Sequence, residues 1–164
     1  MNTPENHFPT DTDRRMKAIA YSIKPQEKEH LALANGKRHD LTLISNELNV
    51  KTVSYAHGKE VVIVSTYDIL DREMLWELKN AGVKKIITRS KITTHIDLKE
   101  ATRMGLKVAN APDEDQSIES IAKQTIRNLN AWDAGKCVGK ACCCQKVCTM
   151  DNADSPYVYG NNEK

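Results

Sequence analysis

Continuous apolar runs alternate with stretches of helical periodicity along most of the chain. Ala18, Ile19, Ala20, Tyr21 and Ile23 form a short run that suits a buried strand. Pro25 follows, then helix formers from Gln26 to Ala34, closed by Asn35-Gly36 as a C-cap. Leu41 to Ile44 predict a second strand. Val50, Val53 and Tyr55, ending at Gly58, predict a short and poorly amphipathic helix. The strongest strand signal is Val61-Val62-Ile63-Val64, continuous and β-branched. Leu70, Met74, Leu75 and Leu78 recur at helical spacing before Gly82, and Lys85-Ile86-Ile87-Thr88 predict a fourth strand. Asp97 and Glu100 fit a capping box, with Ile96 placed to staple onto Ala101, in a helix that stops at Gly105. Leu106 to Ala109 make a weaker fifth strand. Ile118, Ile121, Ala122, Thr125, Ile126 and Leu129 mark one face of a last helix, with Ser117 as its N-cap.

Strand and helix thus alternate five times. Apolar strands separated by helices imply a parallel sheet covered on both faces, and right-handed crossovers make it a flavodoxin-like, doubly wound α/β domain with five strands. In such a sheet the binding crevice lies beyond the carboxyl ends of the strands. Those ends are Ile23-Lys24-Pro25, Ser65-Thr66-Tyr67, Arg89-Ser90-Lys91 and Asn110-Ala111-Pro112. The expected organisation is a polar tail at 1–15, the α/β domain at 16–133, a cysteine-rich segment at 134–150 and a polar tail at 151–164.

Composition narrows the function classes. Hydrophobic residues make up 40% and charged residues 28% of 164, enough for one domain with its own core. The 24 basic and 22 acidic residues leave a net charge of +2, with no basic stripe or interleaved aromatics of a nucleic-acid groove. No apolar run approaches the roughly 20 residues that span a bilayer, and the first 15 residues lack the apolar core of a secretory signal. The expected location is the cytoplasm.

The richest strand end runs from Thr88 to Asp97. It holds two cations (Arg89 and Lys91), an imidazole (His95), the hydroxyls of Ser90, Thr93 and Thr94, and a row of amides before a helix start. Such a grouping favours a small anion, a carboxylate or a phosphate. The plainer alternative is an Arg89 ion pair, a capping Asp97 and a merely polar His95. Candidate binding residues are therefore Arg89, Ser90, Lys91, Ile92, Thr93 and His95, with Ser65, Thr66 and Tyr67 from the neighbouring strand end.

Thr88-Arg89-Ser90, then four residues, then His95-Ile96-Asp97-Leu98, then Gly105-Leu106-Lys107-Val108-Ala109-Asn110-Ala111-Pro112 resemble the D-isomer-specific 2-hydroxyacid dehydrogenase family. Met16 to Tyr21 and Leu78 to Lys84 fit it too, and the likeness covers about Met16 to Leu129. The resemblance implies the first part of that family's substrate-binding domain, with a flavodoxin-like fold. It also implies an NAD-dependent oxidoreductase chemistry at 2-hydroxy or 2-keto acids. After its arginine-serine pair the family has valine or alanine and then glycine, whose amides hold the substrate carboxylate. Here stand Lys91-Ile92. Lys91 is expected to offer a charge in exchange. The helix's usual alanine-glutamate pair is Ala122-Lys123.

A dinucleotide site needs a glycine-rich strand-to-helix turn. The seven glycines (36, 58, 82, 105, 135, 139 and 160) do not supply that spacing, and none of the five histidines lies beyond His95. The expectation is no catalytic residue and no cofactor held by this chain alone, NAD entering only through a partner that supplies the missing domain.

All five cysteines (Cys137, Cys142, Cys143, Cys144 and Cys148) fall within twelve residues, among Lys136, Lys140 and Lys146. They are too clustered for a disulfide framework. Thiolates suit zinc, copper or an iron–sulfur cluster, and nearby lysines favour the thiolate, although the spacing matches no familiar ligand motif. Three readings stay open: a small-anion-binding or regulatory module, a subunit of a split oxidoreductase with its interface on the 118–129 helix, and a thiol or metal module.

Overall fold

The computed structural model describes residues 15–144. Its elements are β1 (Lys17–Ala20), α1 (Pro25–Asn35), β2 (Asp40–Leu43), a 3-10 turn (Val53–Ala56), β3 (Val61–Val64), α2 (Arg72–Asn80), β4 (Lys85–Thr88), α3 (Leu98–Arg103), β5 (Lys107–Ala109), α4 (Ile118–Asp133) and a second 3-10 turn (Gly139–Ala141). The five strands pair in the order β2-β1-β3-β4-β5, all parallel. This is the flavodoxin-like arrangement that the alternation of strands and helices predicts.

Strand alternation splits the core in two. Ile19, Tyr21, Val62, Val64, Ile86 and Val108 face the side covered by α2 and α3, where Leu75, Leu78 and Ala101 meet them. Ala18, Ala20, Val61, Ile63, Ile87 and Ala109 face α1 and α4, against Leu31, Ile126, Leu129 and Trp132. Each valine, leucine or isoleucine among them contributes about 1.5–3 kcal/mol by leaving water, and each alanine less. β3 is buried along its whole length, as expected of a central strand in a parallel sheet.

Local signals explain the helix ends. Gly36 adopts φ 54° and donates its N–H to the Ala32 carbonyl, closing α1. Asp71 caps α2 by accepting from the Met74 amide, and Ser117 caps α4 by accepting from the Ser120 amide. Ile96 and Ala101 are both buried against the same core, where the staple puts them.

Four expectations need correction. The capping box of α3 is one-sided. Asp97 accepts from the Glu100 amide, but the Glu100 carboxylate turns to Arg103 one turn on, with Nη2 at 2.6 Å. The helix expected across 50–58 shrinks to Val53–Ala56. There Asn49 and Thr52 hold the backbone in local turns, Thr52 Oγ1 donating to the Glu47 carbonyl at 2.6 Å. The apolar stripe of α4 is not laid open for a partner: Ala122, Thr125, Ile126 and Leu129 are buried in this chain's own core, and Ile118 alone of the stripe is exposed. Finally, part of the cysteine-rich segment belongs to the sheet. Cys142 forms an antiparallel bridge with Ala109, Cys143 N–H donates to the Val108 carbonyl at 2.8 Å, and Ala141 is buried.

Candidate functional site

The sheet brings the two predicted loops together, because β3 and β4 are neighbours in register and both end at the same edge. Past the strands the loops stay joined. The Leu70 amide donates to the His95 carbonyl at 2.8 Å, and the Asp97 amide returns to the Leu70 carbonyl at 3.0 Å. Ser65, Thr66 and Tyr67 therefore lie beside Arg89 to His95, Ser65 buried and Thr66 and Tyr67 exposed.

Arg89 does not reach into the crevice. Its side chain is 1% exposed, its Nε and Nη2 pair with both oxygens of Glu27 at 3.2 and 3.3 Å, and Nη1 and Nη2 donate to the Tyr21 and Ser22 carbonyls. The guanidinium ties β4 to the end of β1 and to the first turn of α1. The space beside it, lined by Glu27, Leu31, Ile118 and Ala122, is about 30 Å³, the room of a single water. Of the two readings of Arg89, geometry favours the ion pair.

Ser90 and His95 form a buried relay. Thr88 Oγ1 lies 2.7 Å from Ser90 Oγ and 2.9 Å from His95 Nε2, and Ser90 Oγ donates to the Ile92 carbonyl. His95 is 8% exposed, and its Nδ1 has no hydrogen-bond partner among the described residues. Burial lowers its pKa from 6.5, while the charge of Asp68 opposes the drop.

Lys91 to Thr94 are the open part of the loop. The Lys91 amide donates to Gln116 Oε1, its carbonyl accepts from Asn110 Nδ2, and its ammonium reaches Glu114 Oε2 at 2.6 Å. That ion pair is solvent-exposed, with Glu114 94% accessible, so it is weak and readily exchanged. The hydrogen bond from Lys91 holds the Glu114 carboxyl below its ordinary pKa. The amides of Ile92, Thr93 and Thr94 find no acceptor among the described residues. Asn110 Oδ1, buried next to this loop, also lacks a partner. Ile92 is 57% exposed, and its φ is not positive, so the loop holds its shape without the glycine the family has there.

Asp68 was not legible as a key residue. At 1% exposure its carboxylate accepts from Ser22 Oγ (2.8 Å), Leu48 N (2.9 Å) and Ser65 N (2.9 Å), binding the ends of β1 and β3 and the segment after β2. It also holds Ser22 at φ 56°, a left-handed conformation that costs a non-glycine residue free energy. Beside this knot a cleft of about 490 Å³ opens between Ile23, Lys24, Lys28, Ser45 and Asn46. Lys24 Nζ sits 4.8 Å above the Tyr67 ring at its edge.

The cysteines separate. Cys143 packs against the α2–α3 core and donates to the Ala141 carbonyl. Burial, with the neighbouring Cys142, pushes its thiol pKa up to about 12, the opposite of the activation expected from nearby lysines. Cys137, Cys142, Cys143 and Cys144 are all half-buried, and Cys148 lies outside the described residues. Among the described residues no three His, Cys, Asp or Glu side chains come together as a metal would require.

An all-parallel α/β domain whose β4–α3 loop offers amides unpaired among the described residues is the architecture seen. Residues 17–141 match the family model described as D-isomer specific 2-hydroxyacid dehydrogenase, catalytic domain, and the chain belongs to that family. A D-lactate dehydrogenase of Curvularia clavata is 35% identical over 121 residues, covering 70% of this chain and 35% of the relative. The D-lactate dehydrogenase of Escherichia coli is 35% identical over 112 residues, 68% of this chain and 33% of that enzyme. The apo structure of D-lactate dehydrogenase from E. coli superposes with a TM-score of 0.59 at 36% identity, covering 61% of this chain and 32% of that one. The chain spans about a third of the length of the curated relatives it matches. Among the described residues no helix is long and apolar enough to cross a membrane.

Proposed function

We propose that this chain is a recognition module for a small carboxylate of the 2-hydroxy- or 2-keto-acid class. The anion is held on the β4–α3 loop and is not turned over by this chain's own residues. One observation carries the reading: among the described residues, three consecutive amides, those of Ile92, Thr93 and Thr94, have no acceptor beside a cation paired with an exposed carboxylate. Amide donors and a nearby ammonium are what a carboxylate needs, and an anion can take the place of Glu114 at little cost. Thr93 adds a hydroxyl. Arg89, Ser90 and His95 then shape the loop from beneath. Clustered cysteines in place of spread disulfide staples suit a reducing, cytoplasmic setting. Isothermal titration with pyruvate, D-lactate and inorganic phosphate tests the reading. Binding of the two organic acids, weakened about tenfold in Lys91→Glu, supports it. No heat with any of them, or equal affinity in that variant, removes it.

A second reading rests on the crevice mouth, where Tyr67 and Ile92 stand 62% and 57% exposed. Apolar side chains at that rim suit a covering domain, and a partner chain bearing a nicotinamide site would complete the cleft of a split oxidoreductase. NADH oxidation with pyruvate that appears only when such a partner is added supports it. Absence of turnover with every cofactor-domain partner tried defeats it.

A further inference from the structure

The outer face of α2 carries an open groove lined by residues other than those of the candidate loop. Leu48, Val50, Ile69, Met74, Trp76 and Met104 line a groove of about 780 Å³. Three of these are large apolar side chains left in water: Val50 is 78%, Ile69 60% and Trp76 56% exposed. An indole set on an exposed helix face among other apolar groups marks an association surface more often than a solvated one.

The charges on the same helix identify what fits there. Residues spaced i, i+4, i+7 lie in one row along a helix. One row of α2 reads Arg72, Trp76, Lys79, and its neighbour reads Glu73, Glu77, Asn80; all six are exposed. One edge of the face is therefore cationic and the other acidic, with the indole near the midline. Arg72, Glu73 and Glu77 form no ion pair among the described residues, whereas Arg103 nearby is paired with Glu100. Two copies of such a face related by a two-fold axis parallel to the helix set each cationic row against the partner's acidic row. An antiparallel pairing would set like against like.

We infer that the α2 face is the contact of a homodimer in which two α2 helices pack side by side in parallel, with the two Trp76 indoles meeting near the axis. The contact is isologous and closes on itself, which covers both grooves at once. It is independent of the ligand proposed for the β4–α3 loop.

Sedimentation equilibrium of the full chain, with charge-reversed variants, decides the matter. The wild type is expected to sediment at twice the chain mass, and Trp76→Glu at the chain mass. Arg72→Glu/Lys79→Glu and Glu73→Lys/Glu77→Lys are each expected to be monomeric alone and to form a dimer when mixed in equal amounts. That rescue requires the two rows to meet across two chains, which a folding defect cannot imitate; circular dichroism confirms that each variant is folded. A wild type that stays monomeric up to about 1 mM overturns the inference. So does a dimer that survives Trp76→Glu and both row reversals.

Discussion

Arg89 and Glu27, sixty-two positions apart, meet in a two-point ion pair that fastens the end of β4 to the first turn of α1. The cation is sealed from solvent and the carboxylate largely so. Removing one partner of a buried pair strands the other, at a cost of about 3–5 kcal/mol. Arg89→Ala should therefore lose stability of that order in urea denaturation, as it also leaves the Tyr21 and Ser22 carbonyls without a donor. Lys91→Ala should melt within about 0.5 kcal/mol of wild type, because its ion pair is at the surface. If Arg89→Ala is as stable as wild type, the fastening role is wrong.

Asp68 should be as costly to remove. Asp68→Ala leaves the Ser22 hydroxyl and the amides of Leu48 and Ser65 without their acceptor. Bonds to a charged group are worth about 1.5–3 kcal/mol each and are not additive, so a loss of at least about 3 kcal/mol is expected. Hydrogen exchange should rise first at Leu48 and Ser65. Protection there unchanged from wild type would count against this account.

These two residues also show where sequence reading stops. The strands were legible because β-branched runs such as Val61 to Val64 have one use in a parallel sheet, and two of the caps because Asp97 and Ser117 stand immediately before apolar periodicity. The loops at Ser65 to Tyr67 and Arg89 to His95 were legible as one edge, since strand order alone puts them there. Arg89's partner was not: nothing local distinguishes Glu27 from Glu29, the other acid of α1. Asp68 looks like any turn residue until three segments converge on it. The bridge from Cys142 to Ala109 was hidden because a three-residue strand such as β5 does not announce what pairs with its free side.

The pH dependence of stability should carry the signature of His95. Burial lowers its folded pKa below the ordinary 6.5, with Asp68 acting in the opposite direction. Below that value the unfolded chain binds the proton that the native state resists. The contribution is thus complete above about pH 6.5 and is lost as pH falls through 6.5 towards the folded value. His95→Asn should show a flatter fall in Tm between pH 7 and pH 5 than wild type. Parallel profiles would mean that His95 does not couple to folding.

Ile92 offers a gain-of-affinity test. Isoleucine is tolerated there because the backbone needs no positive φ, but it adds an exposed apolar side chain to the loop where an anion would dock. Ile92→Gly opens that approach and should tighten pyruvate binding several-fold by calorimetry, against a loss of about 0.5–1 kcal/mol in stability from added loop freedom. Weaker binding in the glycine variant would show that the isoleucine is part of the grip.

Thiol reactivity should follow burial. Cys143, with its thiol pushed up to about 12 and packed on the core, should resist iodoacetamide in the native protein and react on unfolding. Peptide mass spectrometry after a short pulse at pH 8 reads this directly. Early labelling of Cys143 in folded protein would place it at the surface instead.

The bridge between Cys142 and Ala109 also bears on how the sheet resists strand-by-strand growth at high concentration. A parallel sheet that stopped at β5 would present a bare row of amides and carbonyls, a template on which another chain could grow a strand. Val108 and Asn110 already find their partners in Cys143 and Ala141. The cysteine-bearing stretch thus works as a selvedge, finishing the fabric so that it does not unravel into fibres.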